Sequence, residues 1–195
     1  MKIRLLFSAA LLSLVALVQA EERVATFGGG CFWCMEPPYD RLEGVISTTS
    51  GYMGGSVDNP SYEQVVRGGT GHIEVVEIVY DPEKVDYQQL LDIYWPNVDP
   101  FDGGGQFCDR GESYRPAIFV RNERQERLAR ESLKRIQARF DQPIEVTIEP
   151  FEAFYAAEDY HQNYYEKNPL RYKFYRYGCG RDARLEELWG KEAGG

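Results

Sequence analysis

Two thiols three positions apart follow a run of glycines in Gly28-Gly29-Gly30-Cys31-Phe32-Trp33-Cys34. Cysteine does chemistry as its thiolate, and a helix N-terminus favours that anion through its unpaired N–H groups and the positive end of its dipole. Pro37 and Pro38 lie just downstream. Proline is tolerated in the first turn of a helix and is costly further in. These prolines predict a helix starting near residues 33–36, with Cys31 at its mouth and the Cys31 pKa depressed. Cys-x-x-Cys spacing also suits a structural disulfide or a buried cysteine, so the thiols alone leave the chemistry open.

Glu74 offers a second reactive group. It sits among Ile73, Val75 and Val76, where a carboxyl against an apolar wall is desolvated, stays protonated near neutral pH and can donate. The same alternation equally suits a solvent-facing glutamate, as Glu77 is by pattern. Phe32 and Trp33 put apolar surface beside Cys31. Cys179 lies between Gly178 and Gly180 after Pro169, in a segment able to swing and to attack an oxidised Cys31. Cys34 competes for that role. Cys108 reads as a bystander, a second relay thiol or a structural partner of Cys179.

The elements that must position these groups alternate between strand and helix. Residues 24–27, 45–52, 73–80, 117–120 and 144–148 read as strands, with five β-branched residues among the eight from Ile73 to Tyr80. Leu90, Leu91 and Tyr94 fall at helical spacing before Pro96. Asn122 can cap a helix running to about Phe140, and residues 156–166 read as helical. Residues 51–60 and 98–115 read as loops, the second long enough to be functional. The expected fold is α+β: one two-layer domain with a central mixed β-sheet, flanking helices and a long, loop-rich C-terminal tail over residues 168–195, with a short helix near residues 185–189.

Residues 1–20 read as a secretory signal peptide: Lys2 and Arg4, an apolar run from Leu5 to Val18, then Val18-Gln19-Ala20. Residues 21–195 then form the domain, exported and periplasmic, with no membrane association after cleavage. Taking Lys2 and Arg4 from the 22 basic residues leaves 20 against 31 acidic, a formal charge of −11. That balance argues against nucleic acid and anionic membrane partners. A catalytic cysteine outside the cytosol also needs a dedicated source of electrons.

Gly30-Cys31-Phe32-Trp33 resembles the opening signature of the A-type peptide methionine sulfoxide reductases. The segments 50–55, 59–65, Gly69-Thr70-Gly71-His72-Ile73-Glu74, Tyr80-Asp81-Pro82, Asp99-Pro100, 106–115 and Tyr160-His161-Gln162 resemble the same family in the same order. The resemblance implies a repair enzyme of oxidative stress. It would reduce the S epimer of methionine sulfoxide, free or in proteins, as a monomer with no cofactor and no metal, and a thioredoxin-like protein would supply the electrons. Cys31 would attack the sulfoxide sulfur, release methionine and be left as a sulfenic acid. Glu74 stands where the family has its catalytic glutamate and would protonate the oxygen. Tyr62 and Tyr114 resemble two tyrosines that hydrogen-bond that oxygen, and Asp109 resembles a carboxylate supporting the site. Phe32 and Trp33 would hold the methyl group. Family members often carry the resolving cysteine in the tail, which favours Cys179; Cys108 departs from the commonest form of its motif.

Two rival classes fit parts of the chain. A thioredoxin-like disulfide oxidoreductase would need a βαβ pattern around Cys-x-x-Cys. A zinc module would draw on Cys31, Cys34, Cys108 and His72 or Cys179, of which only one pair has metal-like spacing.

Overall fold

The structure, a computed structural model, describes residues 23–194. The signal-peptide reading of residues 1–20 lies outside the described residues.

The chain enters on β1 (Val24–Gly28), turns through the glycines into α1 (Phe32–Asp40) and returns on β2 (Val45–Met53). A short α2 (Tyr62–Arg67) precedes β3 (Ile73–Tyr80) and α3 (Tyr87–Tyr94). A two-stranded hairpin follows, β4 (Gly105–Gln106) and β5 (Asp109–Arg110), then β6 (Ala117–Val120), α4 (Glu123–Gln137), β7 (Thr147–Pro150) and β8 (Tyr155–Ala156). Three helices close the chain: α5 (Tyr164–Lys167), α6 (Pro169–Gly178) and α7 (Arg181–Trp189).

Six strands form one sheet in the order β7-β6-β1-β3-β2-β8. Every neighbouring pair is antiparallel except β6 with β7, which makes the sheet mixed as expected. β3 lies between β1 and β2, and its β-branched residues are the ones a strand flanked on both edges should carry. α1 lies between β1 and β2 in sequence, yet β3 separates those strands in the sheet. Both strands run antiparallel to β3 and so parallel to each other, which makes β1-α1-β2 a split βαβ crossover with an antiparallel strand inserted between its two strands.

The core forms where α3 and α1 cover β1. Phe27 meets Tyr94 at 5.2 Å and Tyr39 at 5.7 Å between ring centroids, and the Tyr94 hydroxyl donates to the Gly28 carbonyl at 2.9 Å. Leu90, Leu91 and Tyr94 are fully buried, as their spacing predicts, and α3 starts with an Asp86–Gln89 capping box. Trp95 just beyond it donates to Ser132 on α4 at 2.7 Å.

Several boundaries depart from the sequence reading. The prolines sit in the second half of α1, which starts at Phe32; the helix stops at Asp40, so few of its turns lack a bond. α2 falls in a stretch read as loop-rich, nucleated by a Ser61–Gln64 capping box. Of residues 156–166 only the end is helical. Ala156 joins the edge strand β8, and Asn163 takes a left-handed conformation at φ 52°. The tail is not extended or loop-rich but folds into α6 and α7. Pro169 starts α6, Gly180 at φ 66° makes the turn, and α7 anchors through buried Arg181, Leu185 and Trp189.

Candidate active site

Gly30 bends the chain at φ 79°, and a Cβ there would stand 2.6 Å from the Gln106 Cβ. Only glycine fits this turn, which brings Cys31 to the N-cap position of α1. Cys31 is 6% exposed and Cys34, one turn on, 1%.

Glu74 projects from β3 to the same helix mouth. It is 2% exposed, and its carboxyl accepts the Phe32 backbone N–H at 3.0 Å. The donor that the sequence reading reserved for a Cys31 thiolate thus goes to Glu74. Burial pushes the Glu74 carboxyl well above the usual range, with further upward pressure from Asp109 and Cys34. Burial thus favours its protonated form, and of the two readings the strand pattern left open the buried one holds.

The two thiols hydrogen-bond to each other and titrate as a pair. Burial pushes Cys31 well up, reinforced by Cys34 and Glu74. The hydrogen bond from Cys31 brings Cys34 down to about 6 against the effect of burial, and the positive charges of Arg181 and Arg176 help. The expected depression of Cys31 is therefore not found: the pair's first negative charge rests on Cys34, because burial disfavours a Cys31 thiolate while the Cys31 hydrogen bond and then the two arginines favour one on Cys34.

An aromatic wall stands beside Cys31. Trp33 stacks on Tyr164 at 3.7 Å and donates from Nε1 to His161 Nδ1 at 3.1 Å. His161 also meets Phe32 at 5.0 Å and Tyr62 at 4.4 Å between centroids. Gln162 fixes this segment to β2, accepting from the Ser50 N–H and donating to the Ser50 carbonyl, both at 2.9 Å. Glu158 accepts from the Tyr52 hydroxyl and from the Tyr62 N–H, each at 2.9 Å. The Tyr62 and Tyr114 hydroxyls hydrogen-bond to each other. Burial pushes Tyr62 up to about 12, and Tyr114 is also raised, by burial first and then by Glu74. Both stay protonated donors.

Asp109 accepts a short hydrogen bond from Tyr175 of α6, and the Tyr175 hydroxyl is also within hydrogen-bonding reach of Cys31. Arg181 of α7 is 1% exposed and donates to the carbonyls of Gly29 at 3.1 Å and Asn97 at 2.6 Å. The tail thus buttresses the turn that carries Cys31.

Cys31, Glu74, Tyr62, Tyr114, Asp109, Phe32 and Trp33 therefore converge. Cys179 does not join them as a free thiol: it is bonded to Cys108, because the tail folds into helices that hold it against the β4–β5 hairpin. Both His72 ring nitrogens are engaged, Nδ1 by the Gly55 N–H and Nε2 by the Val57 carbonyl, so the zinc-module ligands are not gathered. The sequence reading missed Tyr175, Arg181 and Glu158. Glu158 three residues before His161 was the visible signal for one of them; the other two had none, since their roles depend on a fold of the tail that was not foreseen.

A buried dithiol beside a raised carboxyl and two tyrosine hydroxyls gathers the groups a thiol oxidoreductase uses. The sequence profile of a family described as peptide methionine sulfoxide reductase matches residues 23–193. The peptide methionine sulfoxide reductase MsrA of Bacillus licheniformis is 49% identical over 176 residues, 89% of this chain and 97% of that one. The MsrA of Streptococcus pyogenes serotype M5 is 53% identical over 167 residues, 85% of this chain and 98% of that one. The reduced crystal structure of Saccharomyces cerevisiae Mxr1 superposes with a TM-score of 0.73 at 29% identity, covering 77% of this chain and 88% of that one. The chain belongs to the peptide methionine sulfoxide reductase family and is an oxidoreductase that reduces methionine sulfoxide.

Proposed function

We propose that this chain reduces the S epimer of methionine sulfoxide, free or within proteins, with Cys31 as nucleophile and Glu74 as general acid. The observation that carries this reading is the protonated, buried Glu74 at the helix mouth that presents Cys31. A sulfoxide oxygen placed among Glu74, Tyr62 and Tyr114 meets three protonated donors, and its methyl group meets Phe32 and Trp33. The proton shared by the two thiols moves to Cys34, and the Cys31 thiolate attacks the sulfur. Glu74 protonates the departing oxygen, methionine leaves, and Cys31 carries the hydroxyl as a sulfenic acid. Asp109, through Tyr175, holds a hydroxyl at the nucleophile.

Cys34, rather than Cys179, is the resolving thiol in this account, because it already touches Cys31 while Cys179 is bonded elsewhere. Its sulfur attacks the sulfenic sulfur, its proton passes to the leaving hydroxyl, water leaves, and a Cys31–Cys34 disulfide forms. The sum is sulfoxide plus two thiols giving sulfide, disulfide and water.

A thioredoxin-like protein returns the electrons; yeast Mxr1 has been crystallised in complex with Trx2. The signal-like residues 1–20 support an exported, periplasmic enzyme, and in this reading it acts as a monomer. Turnover of epimerically pure substrates with dithiothreitol tests the reading. Consumption of the S epimer with the R epimer untouched is expected, and equal use of both would overturn the stereochemical assignment.

A further inference from the structure

Glu36 is a buried carboxyl that the proposed reaction does not use. It lies on α1 one turn beyond Phe32 and is 0% exposed. Burying a carboxyl is costly unless it is bonded, so its partners show what it does there. One oxygen accepts the Asn163 N–H in a long bond of 3.5 Å. The other, Oε2, faces the Ser50 hydroxyl of β2; both atoms are buried and neither has another partner among the described residues. Burial raises the carboxyl to about 7 and Asp40 on the same helix adds to the rise, while Ser50, the Asn163 N–H and Lys167 of α5 oppose it. A neutral carboxyl is acceptor and donor at once. Glu36 thus ties α1 both to residue 163 and to β2.

The segment it ties down is the one that builds the aromatic wall. His161 accepts from Trp33 Nε1 at 3.1 Å, and Gln162 exchanges two bonds with the Ser50 backbone at 2.9 Å. Asn163 gives its N–H to Glu36, and Tyr164 stacks on Trp33 at 3.7 Å. Four consecutive residues therefore each hold α1 or β2. Asn163 is the joint among them. It takes the left-handed conformation at φ 52°, and its carbonyl accepts the Glu166 and Lys167 N–H groups that begin α5. A non-glycine residue keeps that conformation only where its surroundings fix it.

We propose that Glu36 is a positioning residue for sulfoxide binding: by clasping Asn163 and Ser50 it sets His161 and Tyr164 on Trp33, and so fixes the wall against which the substrate methyl group packs. The inference rests on the proposed function and names the residue behind its methyl pocket. Glu36 acts through Trp33 and not on the reacting atoms. Cys31 and Glu74 meet at the helix mouth, where the Phe32 N–H holds the Glu74 carboxyl at 3.0 Å. A loosened wall leaves that end of α1 in place. Loss of the clasp should therefore weaken substrate binding and spare the attack on sulfur.

The test is single turnover of prereduced wild type, Glu36→Gln, Glu36→Leu and Ser50→Ala over a range of methionine sulfoxide concentrations. It separates the half-saturating concentration from the maximal rate constant, and the amplitude gives the folded, active fraction. Glutamine can accept from Asn163 and donate to Ser50; leucine can do neither. Glu36→Leu should raise half-saturation about tenfold with the maximal rate constant within about twofold of wild type, Glu36→Gln should restore half-saturation to within about twofold, and Ser50→Ala, which keeps the Asn163 bond, should fall between. A merely structural role would lower the amplitude and leave half-saturation alone. Unchanged half-saturation in Glu36→Leu overturns the clasp, and so does a Glu36→Gln as weak as Glu36→Leu or a loss confined to the rate constant. Should Glu36→Leu fail to fold, the other two variants decide: half-saturation raised in Glu36→Gln, or unmoved in Ser50→Ala, overturns the clasp. No methionine from wild type refutes the proposed function itself, and the clasp with it.

Discussion

Replacing Glu74 by glutamine changes one atom in the site. The side chain keeps its length, and its carbonyl oxygen can still accept the Phe32 N–H that the carboxyl now accepts at 3.0 Å. What is lost is the dissociable proton held there by burial. A positioned general acid contributes about 10²–10⁴-fold, or roughly 3–5 kcal/mol of barrier. Tyr62 and Tyr114 remain to hydrogen-bond the oxygen, so the loss should fall in kcat and leave KM little changed. The pH dependence follows from the raised carboxyl. Wild type keeps its acid at neutral pH and loses activity as pH climbs through the elevated Glu74 pKa; the variant lacks that alkaline limb. Single-turnover formation of methionine with dithiothreitol-reduced enzyme, followed across pH and paired with thermal melts, reads all of this. A loss below tenfold, or an alkaline limb that persists in Glu74→Gln, would refute the assignment.

Glu36 on α1 is fully buried, and burial raises its carboxyl to about 7 from 4.5. The folded chain therefore holds a proton that the unfolded chain releases, and stability is full below about 4.5 and falls as pH rises to about 7, by about 3 kcal/mol from this group; denaturant melts of Glu36→Gln should show a flatter profile, and an unchanged slope would contradict it. Arg181→Met strands the buried carbonyls of Gly29 and Asn97, at about 1–3 kcal/mol each, and moves the first alkylation pKa of the Cys31–Cys34 pair upward from about 6; alkylation rates against pH check the second effect. The Cys108–Cys179 bond closes a loop of 71 residues, so the chain-entropy estimate gives about 4 kcal/mol of stability lost on its reduction, read as the difference between melts with and without a thiol that spares the folded state.

The parts of the site that lie close together in sequence were legible there. Cys31, Phe32 and Trp33 follow one another, and the motif from Gly69 to Glu74 picked out Glu74 where the strand pattern alone equally suited a solvent-facing residue. The bond between Glu74 and Phe32 spans 42 positions, and no local pattern encodes it. Nor does any local pattern encode the burial of Cys31 and its bond to Cys34, which reverse the expected charge on the two thiols. The tail was misread because its composition, rich in tyrosine, arginine and glycine, looks like loop. Its helices are fixed instead by tertiary anchors, Arg181 reaching Gly29 across 152 positions and Trp189 donating to the Val98 carbonyl at 3.0 Å. Once the tail folds, Cys179 meets Cys108 and not Cys31, and Tyr175 arrives at Cys31. The sheet, by contrast, was visible in outline because alternation and β-branching are local, while the order of its strands is not.

The central claim is that Cys31 takes the sulfoxide oxygen and keeps it as a sulfenic acid. Prereduced Cys34→Ser/Cys108→Ser/Cys179→Ser leaves Cys31 as the one cysteine among the described residues. Mixed with methionine sulfoxide and a sulfenic-acid trap such as dimedone, it should release one methionine per chain and carry the adduct on the Cys31 peptide, while Cys31→Ser releases none. Methionine formed without modification of Cys31, or formed by Cys31→Ser, would contradict the account.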